Sequence, residues 1–186
     1  MAPHVLIVGF NETEETELII TLDILRRAGA DVTLATLENE LTFVCVQKTK
    51  ITADNLFKNL ENNEYDAVII PGGPGSKNAA EHQALGAFLQ RHEKAGKILG
   101  AICGAPFVFA NNGIGKGRAI TSFPPEKEQI LEKGDYDYRE ENVVVSKNIV
   151  TSRAPGTAFE FALKLTELLI GKAKADDIGK KLLIIQ

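Results

Sequence analysis

Apolar residues in this chain fall in short solid blocks separated by amphipathic stretches. Val5-Leu6-Ile7-Val8, Ala67-Val68-Ile69-Ile70 and Ile98-Leu99-Gly100-Ala101-Ile102 lack the alternation of a half-exposed strand, so they read as strands covered on both faces. They predict strands over His4 to Phe10, Ala67 to Ile70 and Lys97 to Ile102, with a further one at Asp31 to Thr36. Helical spacing lies between them. One helix is expected from Thr13 to Ala28, capped by Asn11 or Thr13, acidic at its start and stopped by Gly29. A second is expected from Asn78 to Ala95, with Leu85, Phe88 and Leu89 on one face, and a third from Gly104 to the Asn111-Asn112-Gly113 stop. Smaller elements fill the rest: a strand at Phe43 to Val46, a short helix at Ala53 to Glu61, strands at Arg118 to Thr121, Val143 to Val145 and Ile149 to Thr151, and a final helix from Phe159 to Leu169. The repeated strand-then-helix alternation predicts an α/β fold, a mostly parallel sheet with helices on both faces.

Composition narrows the class. At 186 residues, 44% hydrophobic and 25% charged, the chain has the size and make-up of one globular domain, taken here as 1–186. A net charge of −4 supplies no field to draw it onto nucleic acid or anionic lipid, and neither partner is expected. Val5 to Val8 is too short for a membrane span and follows no basic segment, so a cytoplasmic, reducing setting is expected. Two cysteines, Cys45 and Cys103, form neither a disulfide framework nor a zinc cluster. No metal is expected, and the phosphate-loop spacing is absent around Gly75-Ser76-Lys77, which weighs against a flavin or nucleotide binder.

Parallel sheets bind ligands at the carboxyl ends of their strands. Cys103 falls there, in Ala101-Ile102-Cys103-Gly104-Ala105, a pattern of small residues flanking a nucleophile at a strand-to-helix turn. A helix N-terminus would favour its thiolate and lower its pKa; the alternative is a small buried hydrophobe. Gly72-Gly73 is either a plain turn or a place where backbone N–H groups approach a bound oxyanion. The acidic cluster Glu12, Glu14, Glu15 and Glu17 suits the helix dipole, but one member facing inward could share a proton with the thiol, its own pKa raised. His82 and His92, set among charged residues, read as a solvated helix face, and Cys45 as structural or an interface thiol.

With Pro71-Gly72-Gly73, Ala101-Ile102-Cys103-Gly104-Ala105-Pro106 and the block from Thr151 to Ala162 in order, the chain resembles the ThiJ/PfpI superfamily, and within it the Parkinson-associated (DJ-one) deglycase branch, from Val5 to about Leu183. The resemblance implies a flavodoxin-like three-layer sandwich, a homodimer, and Cys103 as reactive centre. It assigns Glu17 as the carboxyl bonded to the cysteine and the backbones of Gly73 and Gly104 as oxyanion donors, and it places Gly72 and Phe123 at the substrate. It implies cofactor-free conversion of methylglyoxal or glyoxal to the 2-hydroxy acid, or removal of early glycation adducts, in protection against carbonyl and oxidative stress. The alternatives are a redox sensor or chaperone-like protein working through oxidation of Cys103, and the older family labels of thiazole monophosphate biosynthesis and intracellular protease. Two positions depart from the pattern. Phe123 stands where some members carry histidine, and Gln47 where a family arginine is found. The first leaves Glu17 to carry more of the proton transfer and weakens chemistry that needs a Cys-His pair.

Overall fold

A computed structural model describes residues 1–185. The first half holds β1 (His4–Gly9), α1 (Glu15–Ala28), β2 (Asp31–Thr36), the hairpin β3 (Thr42–Val44) and β4 (Lys50–Thr52), β5 (Asn55–Leu56) and β6 (Ala67–Ile70). Next come α2 (Ser76–Ala80), α3 (Gln83–Lys94), β7 (Ile98–Ile102) and α4 (Pro106–Asn111). The last third holds β8 (Ala119–Ile120), α5 (Lys127–Lys133), β9 (Asp137–Tyr138), β10 (Val143–Ser146), β11 (Ile149–Ser152), α6 (Ala158–Leu169) and α7 (Lys172–Lys181).

Seven strands form one sheet in the order β10-β11-β7-β6-β1-β2-β5, parallel except for the β10-β11 hairpin. The solid apolar blocks are explained by the two cores. Along β1, Leu6 and Val8 point into one core with Phe88, Val108 and Phe109, while Val5 and Ile7 point into the other with Leu18, Leu25 and Phe161. Helices α1, α6 and α7 cover one face and α2 to α5 the other. The expected α/β sandwich is therefore the observed one. From β1 the chain winds outward to β2 and β5, then returns to the opposite side of β1 through β6 and β7, so the winding reverses beside β1. Such a reversal opens a crevice at the carboxyl ends of the strands.

Several local expectations differ. The helix from Asn78 breaks at His82, whose backbone is extended and whose Nδ1 accepts the Leu85 N–H at 3.2 Å, capping α3. His82 is a cap rather than an idle surface group. His92 is 2% exposed, not solvated. Its Nδ1 lies 2.9 Å from the Phe88 carbonyl and its Nε2 accepts the Tyr65 N–H at 3.2 Å, which fixes a neutral imidazole with the proton on Nδ1. Ala53 to Glu61 is not a helix. Asn55 and Leu56 add an edge strand to β2, and a single 3₁₀ turn, Phe57–Asn59, drops Phe57 into the core. Glu14, not Asn11 or Thr13, caps α1 by accepting the Thr16 N–H; Asn11 instead accepts the N–H of Val44 in the hairpin. Gly29 ends α1 at φ 93°, where an L side chain is strained.

Candidate active site

The site is built from three loops at the carboxyl ends of adjacent strands. After β7 the chain turns sharply, and Cys103 takes φ 64°, a left-handed conformation costing roughly 1–3 kcal/mol in a non-glycine residue. Flanking hydrogen bonds hold it there. The Cys103 N–H donates to the Ser152 carbonyl at 3.1 Å, and the Phe123 N–H donates to the Cys103 carbonyl at 2.8 Å. Small neighbours are required. A Cβ on Gly104 would press on the Gly73 carbonyl at 3.3 Å and Ser76 Oγ at 3.4 Å.

Glu17 reaches the thiol from α1. The buried positions of that helix are Glu17, Leu18, Thr21, Ile24, Leu25 and Ala28, so the carboxyl lies on the stripe that faces the sheet. It is completely buried. Oε2 accepts the Gly72 N–H at 2.8 Å, and Oε1 is buried with no hydrogen-bond partner in the structure. Gly72 packs against both acid and thiol: a Cβ there would lie 2.5 Å from Cys103 Cβ and 2.6 Å from Glu17 Oε2. Only glycine fits. Gly72, expected at the substrate, is instead a buried spacer whose N–H is spent on Glu17.

Burial raises the Glu17 carboxyl to about 7, against the lowering effect of the Gly72 N–H and the thiol. The expectation of a lowered thiol pKa is overturned. Burial first, then the Glu17 carboxylate and its hydrogen bond, push Cys103 up to about 12, and the Gly73 and Gly104 amides only oppose them. The helix that follows, α4, has just six residues and begins at Pro106, so its dipole is weak at the sulfur. Two of the three raising effects come from Glu17 itself and disappear when the carboxyl carries the proton. Acid and thiol therefore form a pair in which one proton suffices for either, and a thiolate is paired with a neutral Glu17.

Sγ opens into a cleft of about 280 Å³ lined by Gly73, Pro74, Lys77, Gly104, Phe123 and Glu126. Gly73 has φ 107° and would collide through a Cβ with the Glu12 carbonyl at 2.2 Å, so its shape is dictated by the α1 loop. Phe123 is 39% exposed and closes one side. Lys77 and Glu126 went unnoticed in the sequence because they are 49 positions apart and belong to no pattern. A larger depression near His4, Asp54 and Tyr65 is shallow and holds no thiol. Cys45 lies one residue past β3, buried in the hairpin turn, and burial followed by the Glu15 and Glu14 charges pushes its thiol up to about 11. It is inert by environment. Among the described residues no group of three His, Cys, Asp or Glu side chains is placed to hold a metal ion, and no helix is long and apolar enough to cross a membrane.

Residues 3–168 match the model of the DJ-1/PfpI family. Protein dj-1beta of Drosophila melanogaster is 39% identical over 186 residues, covering 99% of this chain and 98% of the relative. The glutathione-independent glyoxalase DJR-1.2 of Caenorhabditis elegans is 40% identical over 171 residues, covering 92% and 90%. Among solved structures, Drosophila melanogaster DJ-1beta superposes with a TM-score of 0.96 at 38% identity over 100% of both chains. Toxoplasma gondii DJ-1, in an oxidized form, gives 0.92 at 36% identity over 98% of both.

Proposed function

Because the chain belongs to the DJ-1/PfpI family, we propose that it is a glyoxalase-type thiol enzyme that converts small 2-oxoaldehydes to 2-hydroxy acids without glutathione or a redox cofactor. The observation that carries this reading is the buried Glu17 carboxyl beside the thiol of Cys103, a residue held at φ 64°, the two brought together because Gly72 has no side chain. Proton transfer from sulfur to Glu17 generates the nucleophile only when it is needed. The thiolate adds to the aldehyde carbon and gives a hemithioacetal. The Gly73 and Gly104 N–H groups, which flank the sulfur and donate to no other backbone carbonyl, stabilise the developing oxyanion. Isomerisation then oxidises C1 and reduces C2 within the substrate, and hydrolysis of the thioester releases the hydroxy acid. A volume of about 280 Å³ suits a two- or three-carbon dicarbonyl. Deglycation of early adducts and a role in carbonyl and oxidative stress in the cytoplasm belong to the same proposal, as does a homodimeric assembly.

The test is steady-state turnover of methylglyoxal and glyoxal in the absence of glutathione, with Cys103→Ala as blank. Equal rates for the two proteins would refute the reading.

A second reading has its own support in the oxidized form of the Toxoplasma gondii relative and in the accessible sulfur of Cys103. Oxidation of Cys103 to the sulfinic acid would make the protein a redox sensor, with the new oxygens held by Gly73, Gly104 and a protonated Glu17. Mass spectrometry after mild peroxide distinguishes it: two oxygens gained at Cys103, with no dicarbonyl turnover by the reduced protein, would favour the sensor.

A further inference from the structure

His92 is a buried titratable group that the proposed chemistry does not use. It lies at the amino ends of the strands, across the sheet from Cys103, where its carbonyl accepts the Lys97 N–H just before β7. Its ring is bonded on both sides. Nδ1–H donates to the Phe88 carbonyl at 2.9 Å, and Nε2 accepts the Tyr65 N–H at 3.2 Å. The second bond ties α3 to the segment 60–66, which carries the chain from the 3₁₀ turn Phe57–Asn59 into β6. The Tyr65 ring packs on the same helix, its centroid 6.2 Å from that of Phe88 and 6.3 Å from that of His92.

An imidazolium has two donors and no acceptor. A proton added at Nε2 therefore sets N–H against N–H at Tyr65 and places a charge in a buried site whose only bonded partners are backbone groups. The surrounding charges do little to offset this. Arg91 beside it on α3 and Lys97 before β7 repel the added proton, while Glu64 of the segment attracts it. Of the other helices packed on α3, α4 has no ionisable side chain, and the single one of α2, Lys77, lines the Cys103 cleft. Burial is the largest of the effects that hold the imidazole below its ordinary pKa.

Neighbouring anchors confine the response. Arg91 Nη2 donates to the carbonyls of Glu61 at 2.8 Å and Asn63 at 3.1 Å. Beyond Tyr65, the Asp66 N–H donates to the His4 carbonyl at 2.8 Å, its carboxylate accepts the His4 N–H at 3.0 Å, and its carbonyl accepts the Ile98 N–H at 3.0 Å. These bonds survive mild acid, because a guanidinium stays charged and the His4 N–H and Lys97 hold the Asp66 carboxyl below the usual range. His4 Nδ1 faces Asp31 at 3.1 Å, a pair that protonation tightens. Glu64 and Tyr65 alone lie between the anchors. We propose that His92 is a proton-operated latch: neutral, it closes Tyr65 against α3, and protonated, it releases Glu64 and Tyr65 from that helix while the sheet stays intact. The two released residues form one wall of the depression near His4 and Asp54, so the latch opens that depression toward the Phe88 ring.

The open form takes up its proton at the ordinary histidine value of 6.5, so its population grows as the pH falls through that value. Between pH 7.5 and pH 5.5 the growth is about ten-fold. The experiment is residue-resolved amide hydrogen exchange of the full chain across that interval, each rate corrected for the intrinsic pH dependence of exchange. The Tyr65 amide should lose about ten-fold in protection while the sheet amides of Ile98 and Leu99 keep theirs. In His92→Gln, whose side-chain oxygen accepts the Tyr65 N–H without titrating, the Tyr65 profile should be flat. Tyr65 protection that ignores pH in the wild-type protein overturns the latch. So does a fall shared equally by Ile98 and Leu99, the mark of global unfolding, or an undiminished fall in His92→Gln. If that variant does not fold, His4→Gln decides the last point: it removes the other histidine of the region and should leave the ten-fold fall in place, and a flat Tyr65 profile there overturns the assignment to His92.

Discussion

Replacing Glu17 by Gln should stabilise the protein at neutral and higher pH while removing its activity. The folded state holds this carboxyl at about 7 instead of 4.5, because it is wholly buried. Between those values the folded chain keeps a proton that the unfolded chain releases. The associated stability is fully present below pH 4.5, declines as the pH rises, and is lost above about 7. At about 1.4 kcal/mol per pH unit, the displacement amounts to about 3 kcal/mol. Glutamine has no charge to bury, and its amide oxygen can still accept the Gly72 N–H that Glu17 Oε2 accepts at 2.8 Å. The stability difference between variant and wild type should therefore grow by about 3 kcal/mol from pH 4.5 to pH 8. The assay is urea unfolding at fixed protein concentration at four pH values in that interval. With m about 2 kcal/mol/M, the midpoints should separate by about 1.5 M more at pH 8 than at pH 4.5. Ionisations away from the Glu17–Cys103 pair are common to both proteins and cancel in the difference; repeating the comparison in a Cys103→Ala background removes the thiol that Glu17 holds up. A difference that stays flat across the interval, or that shrinks with pH, would refute the assignment of Glu17 as a buried acid held protonated near neutrality.

Four further outcomes are expected. Gly72→Ala forces a Cβ to 2.5 Å from Cys103 Cβ and should cost about 1–3 kcal/mol and abolish dicarbonyl turnover, measured by thermal unfolding and kinetics. Cys103→Gly should be more stable than Cys103→Ala by about 1 kcal/mol, since only glycine takes φ 64° without strain; chemical denaturation of the two inactive proteins decides it. Iodoacetamide should label Cys103 and spare Cys45, which is 1% exposed, as peptide mapping will show. Burial holds the His92 imidazole below its ordinary pKa, so the unfolded chain binds the extra proton first and stability should fall as pH drops below 6.5; nitrogen chemical shifts should report the neutral Nδ1–H tautomer at that pH.

The thiol and carboxyl of the candidate site were more legible than their surroundings. Cys103 announced itself because a nucleophile at a sharp turn needs small neighbours, and Ala101, Gly104 and Ala105 are local facts of sequence. Glu17 was legible for a different reason. The family resemblance singled it out; helical spacing alone also leaves Glu14, one turn before Glu17 and Leu18, on the core-facing stripe, and the structure removes Glu14 by making it the extended cap of α1. His92 was misread because its neighbours Arg91 and Glu93 are charged; on a helix, adjacent residues point about 100° apart, and the better guide was Phe88 and Leu89 one turn earlier. The helix α7 has few apolar residues and α5 only seven residues in all, so neither stands out in the pattern; they pack against α6 and α4 respectively.

The sequence by itself determined the layered α/β architecture, because double-sided burial of a parallel strand needs continuous apolar blocks, and it marked Cys103 as the candidate nucleophile, because the elbow is a short-range constraint. The tertiary structure alone decided the electrostatics. Whether Cys103 is a ready thiolate or a thiol paired with an acid depends on how deeply Glu17 is buried and on the one glycine that lets them approach, and these come from α1 crossing the loop after β6. The same holds for Lys77 and Glu126, far apart in the chain and brought to one cleft wall. Desolvation and Coulomb interactions act over a few ångströms of space, and a linear chain does not record which of its distant residues will share them.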